Sequence, residues 1–342
     1  MLAGTQYILR RCCVTPPSFP QALSLSTMVQ TRSVTKRLSH QERTATEPRH
    51  DSLHTVTLKN VVAVNDRIRT YRLEIKNKGS FNFLPGQWLD VHVPGVEKAG
   101  GFTITSSPRQ AVPDTTDGDA PYVELAIMKS PENPSAAWLW QPIESILGEE
   151  LKVRAGGQFV WPPPGLDMDN ITRAIFIAGG VGINPLISIL SYLHEEKLPV
   201  EVRFLYSTKV PSIDTQPSEV LFLPELLDLF RKPRSDKSKH RLELFLTSAR
   251  DGSQLNRRDD EPIYPLMSLT LPNIASDTEV PVVAWTHRID DIAMMSACGN
   301  LAEAGQTVFY VCGPPAMTDG VVEFLKCQPN VKSDHVLCEK WW

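Results

Sequence analysis

The sequence lacks any run of about 18 apolar residues, the length that a membrane-spanning helix needs. It also lacks a strong excess of one charge, since 35 basic residues stand against 39 acidic ones for a net charge of −4. These two absences predict no membrane span and no nucleic-acid partner. With 342 residues, of which 42% are hydrophobic and 22% charged, the chain is long enough for about two globular domains.

Closely spaced cysteine pairs are missing from the body of the chain. The cysteines beyond the first 50 residues are Cys298, Cys312, Cys327 and Cys338. Their wide gaps match neither a C-x-x-C metal site nor the C-x4-C-x2-C pattern of a plant-type iron–sulfur cluster. We therefore expect no metal site in this chain, and cysteine usage that suits a reducing interior.

Acidic residues are absent from the first 40 positions, and the first one is Glu42. The same stretch is rich in Ser and Thr and contains five basic residues: Arg10, Arg11, Arg32, Lys36 and Arg37. This composition predicts a mitochondrial presequence and a location in the mitochondrial matrix. The alternative is a disordered basic tail, and in either case residues 1–50 are expected to lead into the fold without structure of their own.

Short β-rich segments broken by turn residues fill the next part of the chain. Six candidate strands span residues 54–64, 68–75, 87–93, 101–105, 122–128 and 150–155. Several alternate apolar and polar residues, as half-buried antiparallel strands do. One amphipathic stretch, residues 134–147, interrupts them with a helical pattern. A barrel or sandwich over residues 51–165 is predicted.

A different pattern begins after the Pro-Pro-Pro-Gly sequence at residues 162–165, where we place the domain boundary. Continuous apolar runs at residues 174–178, 200–206, 242–248 and 307–313 alternate with helical or loop stretches. This arrangement is typical of a parallel sheet covered by helices on both faces, here over residues 166–342. Residues 251–289 are polar and rich in Pro and Asp, and are predicted to form a surface insertion.

A glycine-rich motif, AGGVGINP, lies between a buried strand and a helix. Glycines at such a turn let backbone N–H groups approach a phosphate at the positive end of the helix dipole. Pro185 occupies the place of the usual third glycine, and the next strand ends without the usual acidic ribose partner. The alternative is a tight turn without a ligand. The residues predicted to bind a nucleotide here are Gly179, Gly180, Val181, Gly182, Ile183, Asn184 and Pro185.

A second motif, VCGPPAM, also follows a buried strand and opens a helix. Because the carboxyl ends of parallel strands line one ligand crevice, this loop should face the same site as the first. We predict Gly313, Pro314 and Met317 as binding residues. Cys312 is expected to take part in the site, although an isolated cysteine is more often a small core residue.

The two motifs, together with PGQW at residues 85–88 and the ending Glu339-Lys340-Trp341-Trp342, resemble the ferredoxin–NADP reductase family. The resemblance covers residues 54–342. It implies a six-stranded antiparallel Greek-key barrel for flavin, followed by a parallel-sheet domain for NAD(P)H. It also implies hydride transfer from NAD(P)H to FAD and electron transfer onward to an acceptor protein or small molecule.

The flavin motif of that family, Arg-x-Tyr-Ser/Thr-x-x-Ser, is matched in part by GGFTITS. The match assigns Phe102, Thr103 and Ser106 to FAD, while Gly100 replaces the arginine that pairs with the flavin phosphate. That loss predicts a FAD affinity weakened by about tenfold to a hundredfold. Ser135 falls where the family has a phosphate-binding serine at a helix N-terminus, and its alternative role is a plain helix cap.

The family also implies catalytic positions near the nicotinamide. They are Cys312, Glu339, and either Trp341 or Trp342 as the aromatic residue that covers the flavin ring. Ser248 and Arg250 lie near the place where some members hold the NADP phosphate, and NADH is favoured over NADPH. Two functions stay open: a flavin-dependent NAD(P)H oxidoreductase, and a flavin-free NAD(P)-binding sensor or assembly protein.

Overall fold

A computed structural model describes most of the chain from Leu38 onward. The described residues are 38–76, 81–113, 120–212, 215–231, 240–248 and 282–340, without the side chains of Ser248 and Val282. Residues 1–37 of the predicted presequence and lead at residues 1–50, together with Arg250, Trp341 and Trp342, lie outside them. Within these ranges no helix is long and apolar enough to cross a membrane. The same ranges contain no cluster of three or more His, Cys, Asp or Glu side chains suited to a metal ion.

The first half forms an antiparallel sheet of six strands, as predicted. The strands are β1 His54–Ala63, β2 Ile68–Ile75, β3 Trp88–His92, β4 Gly100–Thr103, β5 Tyr122–Met128 and β6 Glu150–Gly156. Their order is β4-β3-β6-β1-β2-β5, and a bridge between Ile104 and Leu125 joins the two outer strands. In β2 the buried Tyr71, Leu73 and Ile75 alternate with charged residues, so one face of the strand fills the barrel core.

The stretch predicted as one amphipathic helix forms two short ones. Helix α2 spans Pro134–Leu139 and helix α3 spans Ile143–Ile146. Pro142 separates them because proline has no N–H with which to continue a helix. Leu139 and Ile146 bury their side chains in the barrel core, so both helices pack against it.

The second half forms the predicted parallel sheet. Its strands are β7 Arg173–Gly179, β8 Glu201–Val210, β9 Arg241–Ser248, β10 Val282–Trp285, β11 Thr307–Cys312 and β12 Val336–Glu339, in the order β10-β9-β8-β7-β11-β12. Helices α4 Ile183–Glu195 and α5 Leu223–Arg231 pack on one face. Helices α6 Asp291–Cys298 and α7 Pro315–Lys326 pack on the other. Every pairing in this sheet is parallel.

Strand β10 lies within the segment that was predicted to be a surface insertion, residues 251–289. It pairs with β9 from Val282 opposite Leu242 to Trp285 opposite Phe245. The predicted insertion therefore cannot extend beyond residue 281, and residues 251–281 lie outside the described part of the chain. The four-residue apolar run of β10 is too short to stand out beside the long polar stretch before it.

Residues 38–50 pack on the barrel, in contrast to the unstructured leader expected up to residue 50. Ser39 caps helix α1, His40–Arg43, and exchanges hydrogen bonds with Glu42 in a capping box. Arg49 forms a bridge with Gly156 at the end of β6 and donates to the buried carboxylate of Asp90. The predicted boundary at residues 165/166 falls between β6 and β7 and stays a prediction.

Candidate nucleotide site at the carboxyl edge of the parallel sheet

The two glycine-containing loops lie against each other, because β7 and β11 are neighbouring strands. Ala178 pairs with Cys312 at the end of this ladder. A Cβ atom on Gly179 would lie 2.6 Å from Met317 Sδ and 2.7 Å from Pro314 Cδ. The loops are thus in contact, and Gly179 is glycine because no side chain fits between them.

The other two glycines of the first loop, Gly180 and Gly182, are each required for a different physical reason. A Cβ on Gly182 would lie 2.2 Å from the carbonyl oxygen of Cys312, so this position has no room for a methyl group. Gly180 has a φ of +54°, and nothing lies within 4 Å of the place its Cβ would take. Gly182 therefore serves packing, whereas Gly180 leaves an open approach to the backbone.

Helix α4 begins directly after this loop. Its N-cap residue, Gly182, makes no side-chain cap, and the N–H of Ile183 donates to the carbonyls of Gly180 and Val181 in the short turn before the helix. Asn184 is buried and donates from Nδ2 to the carbonyl of Ala126 at 2.8 Å. Its Oδ1 atom has no hydrogen-bond partner among the described residues. This end of the helix combines the positive end of the helix dipole with one buried free acceptor.

The remaining predicted members of the first loop are mainly packing residues. Ile183 and Pro185 are buried, and Val181 is half-buried against the same core. These residues were predicted because they belong to the glycine-rich motif. The motif does not distinguish residues that contact a ligand from residues that stabilise the turn. Of the seven, Gly180 and Asn184 have the free space or the free atom for a ligand.

Cys312 is brought to this edge but is buried, with 2% of its surface exposed. Burial raises the pKa of its thiol well above the ordinary value, and the charge of Glu339 raises it further. A neutral, buried thiol is not a nucleophile. Glu339 lies opposite Cys312 on β12, so the end of the chain and the second loop meet at the same edge.

The flavin motif lies on and after β4, and Ser106, one of its polar residues, is bonded within the protein, as is Ser135 at the start of α2. Ser106 Oγ accepts from the N–H of Glu124 at 3.0 Å, and Ser135 Oγ donates to the carbonyl of Lys98 at 3.3 Å. Thr103 is buried, and Phe102 packs against the barrel core. Of these residues, Phe102 and Ser135 both lie against Gly100.

Asn133, and not Ser135, caps helix α2. Its Oδ1 accepts from the N–H of Ser135 at 3.1 Å and from that of Ala136 at 3.3 Å. The alternative role of Ser135 as helix cap is therefore wrong. The sequence offered a signal for the correct choice, since asparagine directly before a proline at the first helical position is a favourable cap.

A polar face of α4 joins the nucleotide loop to the flavin motif, a connection that the sequence did not predict. Ser188 donates to the carbonyl of Ser106 at 2.7 Å, and Ser107 donates to Glu195 at 2.9 Å. Burial raises the pKa of Glu195 although the Ser107 bond opposes it. The available signal was the spacing of Asn184 and Ser188, which puts two polar side chains on one face of an apolar helix.

Comparison with known proteins identifies the chain. No family model matches it. Oxidoreductase NAD-binding domain-containing protein 1 of Bos taurus is 30% identical over 335 residues, covering 95% of this chain and 92% of the relative. A cytochrome P450 reductase from Amycolatopsis has a TM-score of 0.55 at 16% identity, covering 86% of this chain and 70% of its own.

The ferredoxin reductase of carbazole 1,9a-dioxygenase gives a TM-score of 0.52 at 16% identity, covering 84% of this chain and 68% of its own. These structural likenesses confirm the ferredoxin reductase-type fold, a barrel followed by a parallel sheet. The likeness in sequence extends over both sheets and nearly the whole length of the bovine relative. The chain therefore belongs to the family of oxidoreductase NAD-binding domain-containing protein 1.

Proposed function

We propose that this chain is an NAD(P)H-dependent oxidoreductase whose dinucleotide binds along the two loops at the carboxyl edge of the parallel sheet. The observation that carries the proposal is the pairing of Gly180, open and at positive φ, with the N-terminus of α4, which has no side-chain cap. A pyrophosphate is an anion that such a helix end stabilises. We favour NADH over NADPH because the bovine relative is named for NAD binding.

Each group at the edge has a proposed task. The backbone at Gly180 and the first turn of α4 hold the pyrophosphate, and the free Oδ1 of Asn184 accepts a hydrogen bond from the ligand. Bound NAD(P)H supplies a hydride. Cys312 and Glu339 border the place of the nicotinamide, where the buried thiol excludes water, and Trp341 or Trp342 is proposed to cover that place.

Gly180→Val should lower NADH affinity at least about tenfold, since its side chain fills the approach to the loop backbone. Gly148→Val is the matched control, because Gly148 also has a positive φ of +88° and open space at its Cβ, but lies in the barrel. Each variant bears a similar backbone strain, about 1–2 kcal/mol. NADH titration of both folded proteins tests this, and equal affinities would show that the loop is only a turn.

The electron acceptor is proposed to be a separate protein or a small molecule. The resemblance places FAD between the nicotinamide and that acceptor. The barrel does not offer FAD the arginine that the resemblance implies, since Gly100 has no side chain, and the Ser135 hydroxyl donates within the protein. We therefore assign no step of the reaction to FAD.

A flavin-free NAD(P)-binding sensor or assembly protein is the second candidate, and the same barrel residues favour it. The visible spectrum of the purified full chain separates the two. Flavin bands at one equivalent would support a flavin-dependent oxidoreductase. A colourless protein that binds NADH and fails to reduce ferricyanide with it would support the sensor.

We also propose a mitochondrial location, on the basis of the five basic and no acidic residues in positions 1–40. Fusing residues 1–45 to a fluorescent reporter should direct it to mitochondria. A matched fusion in which Arg10 and Arg11 are replaced by Glu should stay in the cytosol. A cytosolic signal from the unmodified fusion would exclude the presequence.

A further inference from the structure

One corner of the barrel, which we name the Gly100 corner, is formed by Gly100, Phe102, Asn133 and Ser135. It matches the place where the resemblance puts the flavin phosphates. We propose that this corner is closed to phosphate by the chain's own groups, so that the barrel recognises a flavin through its ring alone or not at all. The proposal does not depend on the dinucleotide site.

Space at the corner is taken on the side that faces α2. A Cβ on Gly100 would lie 2.6 Å from Ser135 Cβ and 2.7 Å from the Phe102 ring. The ring of Phe102 therefore lies over Gly100, where a longer side chain would have to pass. An arginine at position 100 would collide with both neighbours before its guanidinium could reach any ligand.

The first backbone donors of α2 and the Ser135 hydroxyl are satisfied internally. The first two N–H groups of α2, those of Ser135 and Ala136, donate to Asn133 Oδ1. Ser135 Oγ donates to the carbonyl oxygen of Lys98. The ammonium group of Lys98 itself pairs with Glu42 at 3.4 Å. A phosphate entering here would have to break these bonds and would gain no arginine partner in return.

The opposite face of β4 is closed as well. A Cβ on Gly101 would lie 2.1 Å from the ring of His40. That ring is edge-on to Trp88 at 4.6 Å between centroids, and its Nε2 lies 3.0 Å from the Asp90 carboxylate. Gly100 and Gly101 are thus closely approached, on opposite faces of the strand, by Ser135 and His40, which lie far from them in the sequence.

Riboflavin and FMN differ by one phosphate and separate recognition of the ring from recognition of the phosphate. If the corner is closed, the two ligands should bind the full chain with dissociation constants equal within about threefold, or neither should bind. A site with one charge-assisted phosphate bond would prefer FMN by about tenfold or more. Isothermal titration calorimetry with each ligand measures the ratio.

FAD is tested in the Gly180→Val protein, so that its adenosine half cannot report on the dinucleotide site. An FMN or FAD preference of tenfold or more over riboflavin, or one equivalent of FAD retained through purification, would overturn the proposal. NADH titration of the unmodified chain is separate, so failure of the dinucleotide site and failure of this proposal give different results.

A pair of variants tests whether the missing arginine and the contacts at Gly100 close the corner to phosphate. Gly100→Arg combined with Phe102→Ala and Ser135→Gly removes both neighbours that the arginine would meet and supplies the cation, and should raise the FMN-to-riboflavin preference about tenfold. Phe102→Ala combined with Ser135→Gly is the matched control and should leave the ratio near one. A folded triple variant with an unchanged ratio would overturn the assignment of the closure to Gly100 and its two neighbours.

Discussion

Gly182→Ala should destabilise the chain by about 3 kcal/mol, the upper part of the usual range for an overpacked site. The added methyl carbon would lie 2.2 Å from the Cys312 carbonyl oxygen and 2.7 Å from the backbone N of Gly313. Both neighbours are backbone atoms at the end of a central strand, so neither can turn aside as a flexible side chain would. The φ of Gly182, −64°, suits any residue, and the expected loss is therefore purely steric.

Gly180→Ala is the control, two positions away in the same loop. Its methyl group would meet no atom within 4 Å, and only the left-handed backbone conformation costs free energy, about 1–2 kcal/mol. Urea unfolding of the two variants beside the unmodified protein gives the difference directly. If Gly180→Ala proved the more damaging change, the packing of the two loops as described here would be wrong.

The two kinds of sheet and the meeting of the two loops could be predicted because they depend on local patterns. Alternation in segments such as Ile68–Ile75 and continuous apolar runs such as Arg173–Gly179 each identify their own kind of sheet. Neighbouring parallel strands then carry their loops to one edge. Strand β10 was missed because four apolar residues after a long polar segment provide too short a pattern.

The closed corner of the barrel could not be predicted in the same way. The absence of an arginine at Gly100 is visible in the sequence, but the close approach of Ser135 to Gly100 and of His40 to Gly101 brings together residues far apart in the chain. Periodicity says which face of a strand a residue occupies and does not say which remote side chain meets it. The order of residues 38–50 was missed for the same reason, since their structure depends on Asp90.

Asp90 is the anchor of that N-terminal segment. Its side chain is fully buried and lies 3.0 Å from His40 Nε2, 3.0 Å from Arg49 Nε and 2.8 Å from Arg154 Nη2. Arg49 also stacks over the ring of Trp88 at 4.8 Å. One carboxylate thus joins residues 38–50 to strands β3 and β6, and its removal would leave two guanidinium groups without their acid.

Asp90→Asn should lower the free energy of unfolding at pH 7 by about 3 kcal/mol. Glu124→Gln makes the same chemical change at the half-exposed pair with Arg72, and should cost at most about 1 kcal/mol.

Burial alone would raise the pKa of Asp90, but hydrogen bonds from His40 and Arg154 and the charge of Arg49 lower it from 3.8 to about 2. A pKa lower in the folded state gives stability above pH 4 that is lost as the pH falls toward 2. The difference between the unmodified protein and Asp90→Asn should therefore shrink over that interval in urea unfolding series. A difference that is constant from pH 7 to pH 2 would mean that the carboxylate charge does not hold the segment in place.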